Sequence, residues 1–172
     1  TPQLLKESFG KLQTELNKLQ PNSFAYQRCQ QLYGDDDNIA LYHGGLGNAA
    51  KRRSVYINTD NFRMMFLRCE LFDITKAARR LVNFVELMFE LYGDIGIQRR
   101  IRLTDMSDYE QQILKAGYSQ ILPGRDRVGR RIAINIANST NEYTEKSRIR
   151  ILLYLSQQFF VDDIETQRKG SV

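Results

Sequence analysis

Between Asp73 and Gly93 the residues Ala77, Ala78, Leu81, Val82, Phe84, Val85, Met88, Phe89 and Tyr92 recur at helical spacing. They cover more of the helix circumference than a surface helix needs, so this helix must be covered on more than one side. Asp73 is read as its cap, and Arg79, Arg80, Glu86 and Glu90 as its wet side. The rest of the chain has to supply the neighbours. Thr1-Pro2 reads as an N-cap with proline at the first helical position. Leu4, Leu5, Phe9, Leu12, Leu16 and Leu19 follow at helical spacing, and Pro21 stops the run. A weaker helix is expected from Asn22 to Tyr33, closed by Gly34. Another is expected from Asp60 to Cys69, with Phe62, Met65 and Phe66 on one face.

After about residue 100 the period changes. Ser107-Asp108-Tyr109-Glu110 is a capping box that opens a short helix ending at Gly117. Tyr118–Leu122 and Arg131–Ala137 read as strands, the second with Ile132, Ile134 and Ile136 on one face. Pro123-Gly124 and Gly129 bracket the expected turn. A last long helix covers about Thr144 to Phe160, with Ile149, Leu152, Leu153, Phe159 and Phe160 expected inward. Two strands cannot cover their own apolar face. A strand followed by a long helix usually leads to a parallel strand on the same sheet. That strand is expected to begin near Val172, so the chain reads as stopping inside its fold, and Thr1 in place of Met suggests further sequence upstream.

Composition narrows the class. With 172 residues, 42% hydrophobic and 26% charged, the chain has the balance of a globular protein that folds without disulfides or metal. The longest apolar run, Ile151–Leu155, is far short of the about 20 residues of a membrane span. No secretory leader is visible, and Cys29 and Cys69 lack a C-x-x-C spacing, so free thiols in a reducing, cytoplasmic setting are expected. The net charge of +5 is a mild attraction to anionic surfaces. Lys51-Arg52-Arg53 and Arg99-Arg100-x-Arg102 lack the interleaved aromatics of single-strand binders, so nucleic acid ranks last among partners.

Several motifs reduce to loops. His43-Gly44-Gly45-Leu46-Gly47 resembles an esterase oxyanion loop, but there is no Gly-x-Ser-x-Gly elbow and His43 is the one histidine. No glycine directly precedes Lys51, so there is no Walker A loop. Asp35-Asp36-Asp37-Asn38 lacks calcium-loop spacing. Residues 34 to 58 read as one long loop. No catalytic constellation, cofactor motif or metal site is expected. In Arg125-Asp126-Arg127-Val128-Gly129-Arg130, Asp126 can accept turn N–H groups and Gly129 can supply positive φ, with the arginines solvated or touching anionic head groups.

Three stretches, in order, resemble the CRAL-TRIO family. Phe66-Leu67-Arg68 and Phe72-Asp73-x-x-Lys76-Ala77 are similar to its helical lead-in. Leu122-Pro123-Gly124-Arg125-Asp126-Arg127-Val128-Gly129-Arg130-Arg131-Ile132 is similar to its first hairpin. Asp163-Ile164-Glu165-Thr166-Gln167-Arg168-Lys169-Gly170 resembles its D-x-x-Q-x-x-G stretch. The matching motif residues are Arg68, Asp73, Asp126, Gly129, Arg130, Gln167 and Gly170, with mainly structural roles. Arg131 stands where the family usually has proline, and Cys69-Glu70-Leu71 replaces small and basic residues.

The resemblance implies a helix-rich α/β fold. Residues 1–58 would be a helical extension with a loop-rich stretch, 59–104 a helical lead-in, and 105–172 the incomplete start of a lipid-binding domain. The implied function is non-enzymatic binding and transfer of one hydrophobic lipid, such as a phospholipid, with transient contact to membranes. The family's pocket and gate lie in later strands and helices, so no lipid-binding residue is assigned. The alternative is an interaction module that docks a protein partner or an anionic membrane surface through its helical and basic faces.

Overall fold

The computed structural model describes residues 2–32, 56–136, 144–161 and 163–172, apart from the side chain of Phe160. The expected loop motifs at residues 34–55, including Gly34, Asp35-Asp36-Asp37-Asn38, His43 and Lys51-Arg52-Arg53, lie outside the described residues. The fold is helix-rich, with one two-stranded antiparallel sheet. Its described α-helices are α1 (Pro2–Leu19), α2 (Phe24–Leu32), α3 (Asp60–Cys69), α4 (Ile74–Tyr92), α5 (Asp94–Gln98), α6 (Asp108–Ala116), α7 (Glu145–Phe160) and α8 (Ile164–Lys169). The strands β1 (Ser119–Arg125) and β2 (Arg131–Asn135) lie between α6 and α7. The chain divides into two compact units, Thr1–Arg63 with Ile74–Arg99, and Met64–Asp73 with Arg100–Val172.

In the first unit α1, α2 and α5 pack on α4. The wide stripe of α4 has the coverage its sequence demands: Ala77, Ala78, Leu81, Val85 and Met88 are buried. Leu12 and Leu16 of α1 are buried, whereas Leu4 and Leu5 are exposed, so only the later half of that stripe is core. Glu86 does not belong to the wet face. Its carboxylate accepts from the Ser23 hydroxyl and from the Ala25 N–H, while Ser23 Oγ accepts from the Tyr26 N–H, so the start of α2 is fixed to α4. Arg28 binds Asp94 through two hydrogen bonds, at 3.2 and 2.9 Å, which joins α2 to α5. Helix α5, too short to show a period, comes so close to α4 that a Cβ on Gly96 would lie 2.5 Å from the Met88 carbonyl oxygen.

In the second unit α7 packs on α6, β1 and α8. The capping box forms: Ser107 Oγ accepts from the Glu110 N–H and Glu110 accepts from the Ser107 N–H, while Gly117 closes α6 in the left-handed region. Glu110 also takes a hydrogen bond from Arg150 Nε at 2.8 Å, and Arg150 reaches the Asp105 carbonyl at 3.0 Å. The inward face of α7 differs from its sequence reading. Ile151 and Gln157 are buried, and Phe159 is 41% exposed. Gln157 belongs inside because its side chain accepts from the Ile101 N–H at 2.9 Å, while neighbouring Gln158 donates to the Ile101 carbonyl at 3.0 Å. In α3, Met64, Phe66 and Leu67 are the buried residues here, rather than Met65.

The hairpin pairs Ser119 with Asn135, Gln120 with Ile134, Ile121 with Ala133 and Arg125 with Arg131. A bulge lies between Ile121 and Arg125, so Pro123-Gly124 sits within β1 and not in the turn. Proline has no N–H to offer a ladder, and a bulge relieves it of that duty. The turn itself is Asp126–Arg130. The Asp126 N–H donates to the Arg130 carbonyl, and the Gly129 N–H to the Asp126 carbonyl, both at 3.0 Å. On the other edge of β2, Ser171 forms a parallel bridge to Arg131. The Val172 N–H donates to the Arg131 carbonyl at 2.8 Å, and the Ala133 N–H to the Val172 carbonyl at 2.7 Å. A parallel strand is expected near Val172; the structure shows an isolated parallel bridge there, beside a sheet of two strands. Ile134 of β2 is 39% exposed and Ile136, just past its end, is 51% exposed, so these two isoleucines are open.

Candidate functional site

The second unit gathers its charge where the hairpin turn meets the start of α8. Asp163 is the N-cap of α8: its carboxylate accepts from the Thr166 N–H at 3.2 Å and from the Thr166 hydroxyl at 2.8 Å. The same carboxylate accepts from Arg125 Nη2 and from Arg131 Nε, the latter at 3.1 Å. Arg125 Nη1 donates to the Gly129 carbonyl at 2.8 Å and to Thr166 Oγ1 at 3.3 Å. One carboxylate therefore serves a helix start and two guanidinium groups. Desolvation opposes its ionisation. The hydrogen bonds from Thr166, Arg131 and Arg125 outweigh that and hold the carboxyl well below the usual carboxylate range.

Asp126 organises the turn. Its Oδ1 accepts from the Val128 N–H at 3.0 Å and the Arg130 N–H at 2.7 Å, and its Oδ2 from Arg130 Nε at 2.7 Å. Hydrogen bonds from Arg130, foremost the backbone N–H, lower its pKa. Gly129 has φ of 83°, which a side chain rarely adopts, and a Cβ there would lie 2.8 Å from Lys169 Nζ. Gly170, with φ of 79°, closes α8, its N–H donating to the Thr166 carbonyl at 2.8 Å. Gln167 is buried. It accepts from Arg68 Nη1 at 2.7 Å and donates to the Val161 carbonyl at 2.6 Å, while the Cys69 thiol donates to its backbone carbonyl at 3.4 Å.

The structure thus brings Arg68 of α3 to Gln167 of α8, the helix that Gly170 closes, and sets Asp126, Gly129 and Arg130 in the turn that Arg125 ties to that helix. Asp73 stands elsewhere, in the turn between α3 and α4, its N–H donating to the Glu70 carbonyl at 2.9 Å. Arg125 is not left to solvent, as the sequence suggested for the arginines of the turn, because Asp163 binds it; the same carboxylate binds Arg131. That contact ties Arg131, the first residue of β2, to the start of α8. The sequence places Asp163 and Thr166 inside a motif stretch without giving either a role, and Arg125 among the turn arginines without its bond to Asp163. Asp163 had a readable signal: an N-cap residue followed by Glu165 in the first turn, Arg168 and Lys169 in the last, and glycine after them.

Chemically, this arrangement is a clasp. Its donors and acceptors face one another, and the groups that join β2 to α8 position backbone instead of a reacting atom. Among the described residues, no group of three His, Cys, Asp or Glu side chains could hold a metal ion. Nor is any helix among them long and apolar enough to cross a membrane. Comparisons of the chain with family models, with curated proteins and with solved structures return no match.

Proposed function

We propose that this chain supplies the helical lead-in and the opening of a CRAL-TRIO-like fold that binds and transfers one hydrophobic lipid, such as a phospholipid. The observation that carries the reading is the clasp. Three stretches picked out in the sequence, around Arg68, around Asp126 and around Gln167, supply side chains that meet in the second unit or act on its hairpin turn. The parallel pairing of Val172 with β2 supports the same reading, because it is how a crossover connection extends such a sheet.

Lipid carriage needs burial, not bond-breaking. Each methylene moved from water to an apolar cavity gains about 0.8 kcal/mol, so an acyl chain can leave a bilayer for a dry pocket. In this reading the protein is no enzyme, works in the cytoplasm, and touches membranes peripherally and transiently. Lipid extraction from the protein purified from cells, followed by mass spectrometry, tests it together with transfer of labelled phospholipid between vesicles. A stoichiometric lipid and measurable transfer are expected. Lipid-free protein that moves nothing between vesicles overturns the reading. The open isoleucines Ile134 and Ile136 favour a second reading, a module whose apolar surface docks a protein partner. That reading predicts a stable stoichiometric complex and no bound lipid.

A further inference from the structure

Helix α8 lies along the hairpin turn. At its start Asp163 binds Arg125, and at its end Lys169 stands so near the turn that a Cβ on Gly129 would meet its Nζ at 2.8 Å. This corner is rich in cations. It sets Arg125, Arg127, Arg130, Arg131, Arg168 and Lys169 against three carboxylates, Asp126, Asp163 and Glu165, so three of the five net positive charges of the chain stand here. Each carboxylate is already engaged: Asp126 by Arg130, Asp163 by Arg125 and Arg131, and Glu165 by Lys169 at 3.8 Å. Among the described residues no carboxylate pairs with Arg127 or Arg168, and both arginines are exposed. Each of these two cations has an exposed apolar neighbour. Val128, beside Arg127 in the turn, is 60% exposed. Ile164 is 54% exposed and lies one helical turn from Arg168, on the outer side of α8 away from buried Thr166 and Gln167.

We infer that the hairpin turn and the outer side of α8 form the surface through which the protein meets an anionic bilayer. Arg127, Arg168 and Lys169 sit among acidic head groups, and Val128 and Ile164 dip into the interface beside them. The inference rests on the lipid-carrier reading, since a carrier has to touch the membrane it loads from. Charge complementarity selects a negative partner, and the charge that does so is local to this corner. Charge alone would suit an acidic protein as well. Single apolar side chains standing next to free cations suit a bilayer, which accepts them one by one, whereas a stable protein interface has to bury roughly 1,200 Å². Residues 123–131 and 163–172 contain no aromatic side chain on which a nucleic-acid base could stack. The bonds from Arg125 to Asp163 and Thr166 hold turn and helix together before contact, which lowers the ordering cost of binding.

The test is co-sedimentation of the full chain with phosphatidylcholine vesicles, with and without phosphatidylserine. Wild type is expected to bind the vesicles that contain phosphatidylserine and to leave them as salt is raised. Arg127→Gln and Arg168→Gln should each weaken that binding roughly fivefold, the factor expected for one cation at an acidic membrane surface. Val128→Ser should weaken it roughly fourfold. The two arginines hold no other described residue in place, so both variants should keep the wild-type urea midpoint, and misfolding cannot explain their loss. Arg79→Gln is the control for net charge: it takes the same charge from an exposed arginine of α4 and should leave binding unchanged. Equal losses in Arg79→Gln and Arg127→Gln overturn the surface, as does a wild type that ignores phosphatidylserine. So does a stable complex with an acidic protein, formed through Arg127 and Arg168 by a chain that binds no vesicle. Vesicle binding that depends on Arg127, in a protein that carries no lipid, supports the surface while overturning the carrier reading. Bound lipid and undiminished transfer in the Arg127→Gln, Arg168→Gln double variant keep the carrier reading and overturn the surface.

Discussion

Arg68 Nη1 donates to Gln167 Oε1 at 2.7 Å, across 99 positions of sequence. The bond joins the end of α3 to α8, and Gln167 in turn donates to the Val161 carbonyl. Gln167→Ala removes both contacts from a buried site and is expected to cost about 1–3 kcal/mol in urea unfolding. A double-mutant cycle with Arg68→Ala should return a coupling of about 0.5–2 kcal/mol. Additive single-variant effects would show that the pair does not hold α8.

Asp163 gives the clasp a pH signature. Its folded pKa lies below the unfolded value of about 3.9. Its contribution is therefore complete above about pH 4 and is lost as pH falls toward the lower folded pKa. Asp163→Asn is expected to lose about 2 kcal/mol near neutrality, where Arg125 and Arg131 would face a neutral amide. The stability gap between wild type and variant should narrow steadily below about pH 4. Denaturation curves collected across that range check the sign, and a constant gap would count against the ion pair.

Glu110 is 2% exposed and completes both the α6 capping box and the ion pair with Arg150. Desolvation works against its charge, yet hydrogen bonds from Ser107 and Arg150 keep its pKa below the ordinary carboxylate value. Glu110→Ala removes the carboxylate that pairs with a largely covered guanidinium and is expected to cost about 3–5 kcal/mol. Glu110→Gln, which keeps the shape and an acceptor, should cost less. Thermal melts of the two variants rank them, and equal losses would mean that charge is not what matters there.

Gly96→Ala places a methyl 2.5 Å from the Met88 carbonyl oxygen, and backbone cannot step aside as a side-chain tip can. A loss of about 1–3 kcal/mol is expected. It should appear as a lower urea midpoint without change in far-ultraviolet dichroism.

The two thiols should differ in reactivity. Cys29 is buried, its thiol donates to the Ile97 carbonyl, and burial pushes its pKa up to about 12. Cys69 is exposed. A maleimide is expected to modify Cys69 in the native protein and Cys29 only after denaturant is added. Equal native labelling would place Cys29 outside the core of the first unit.

Much of the architecture is legible in the residues because the period is strong where helices are long. Helices α3, α4 and α6 begin or end where apolar spacing, Ser107 and Gly117 indicate. Helices α5 and α8 escape the same reasoning, since five or six residues cannot display a period, although Asp163 and Gly170 frame α8. Pro123-Gly124 misleads because that dipeptide usually marks a turn, and here the bulge absorbs it. The face of α7 is ambiguous because apolar residues crowd nearly all around it. Burial there is decided by the hydrogen bond from Ile101 to Gln157, which no hydropathy pattern contains. At the site, Asp126 and Gly129 are legible from turn chemistry. The Asp163–Arg131 contact is not, because a pairing across 32 positions leaves no local trace.

Those separations also set an order of assembly. Arg125 finds Asp163 38 residues later, and β2 receives its second neighbour only from Val172. On a ribosome adding about 5–20 residues each second, the strands would emerge seconds before the segment that locks them. A lone hairpin is marginal in water, so the turn built on Asp126 would have to hold its shape through that interval by its own hydrogen bonds. The carboxylate of Asp126 is in that sense a timekeeper, guarding a register that α8 arrives later to seal.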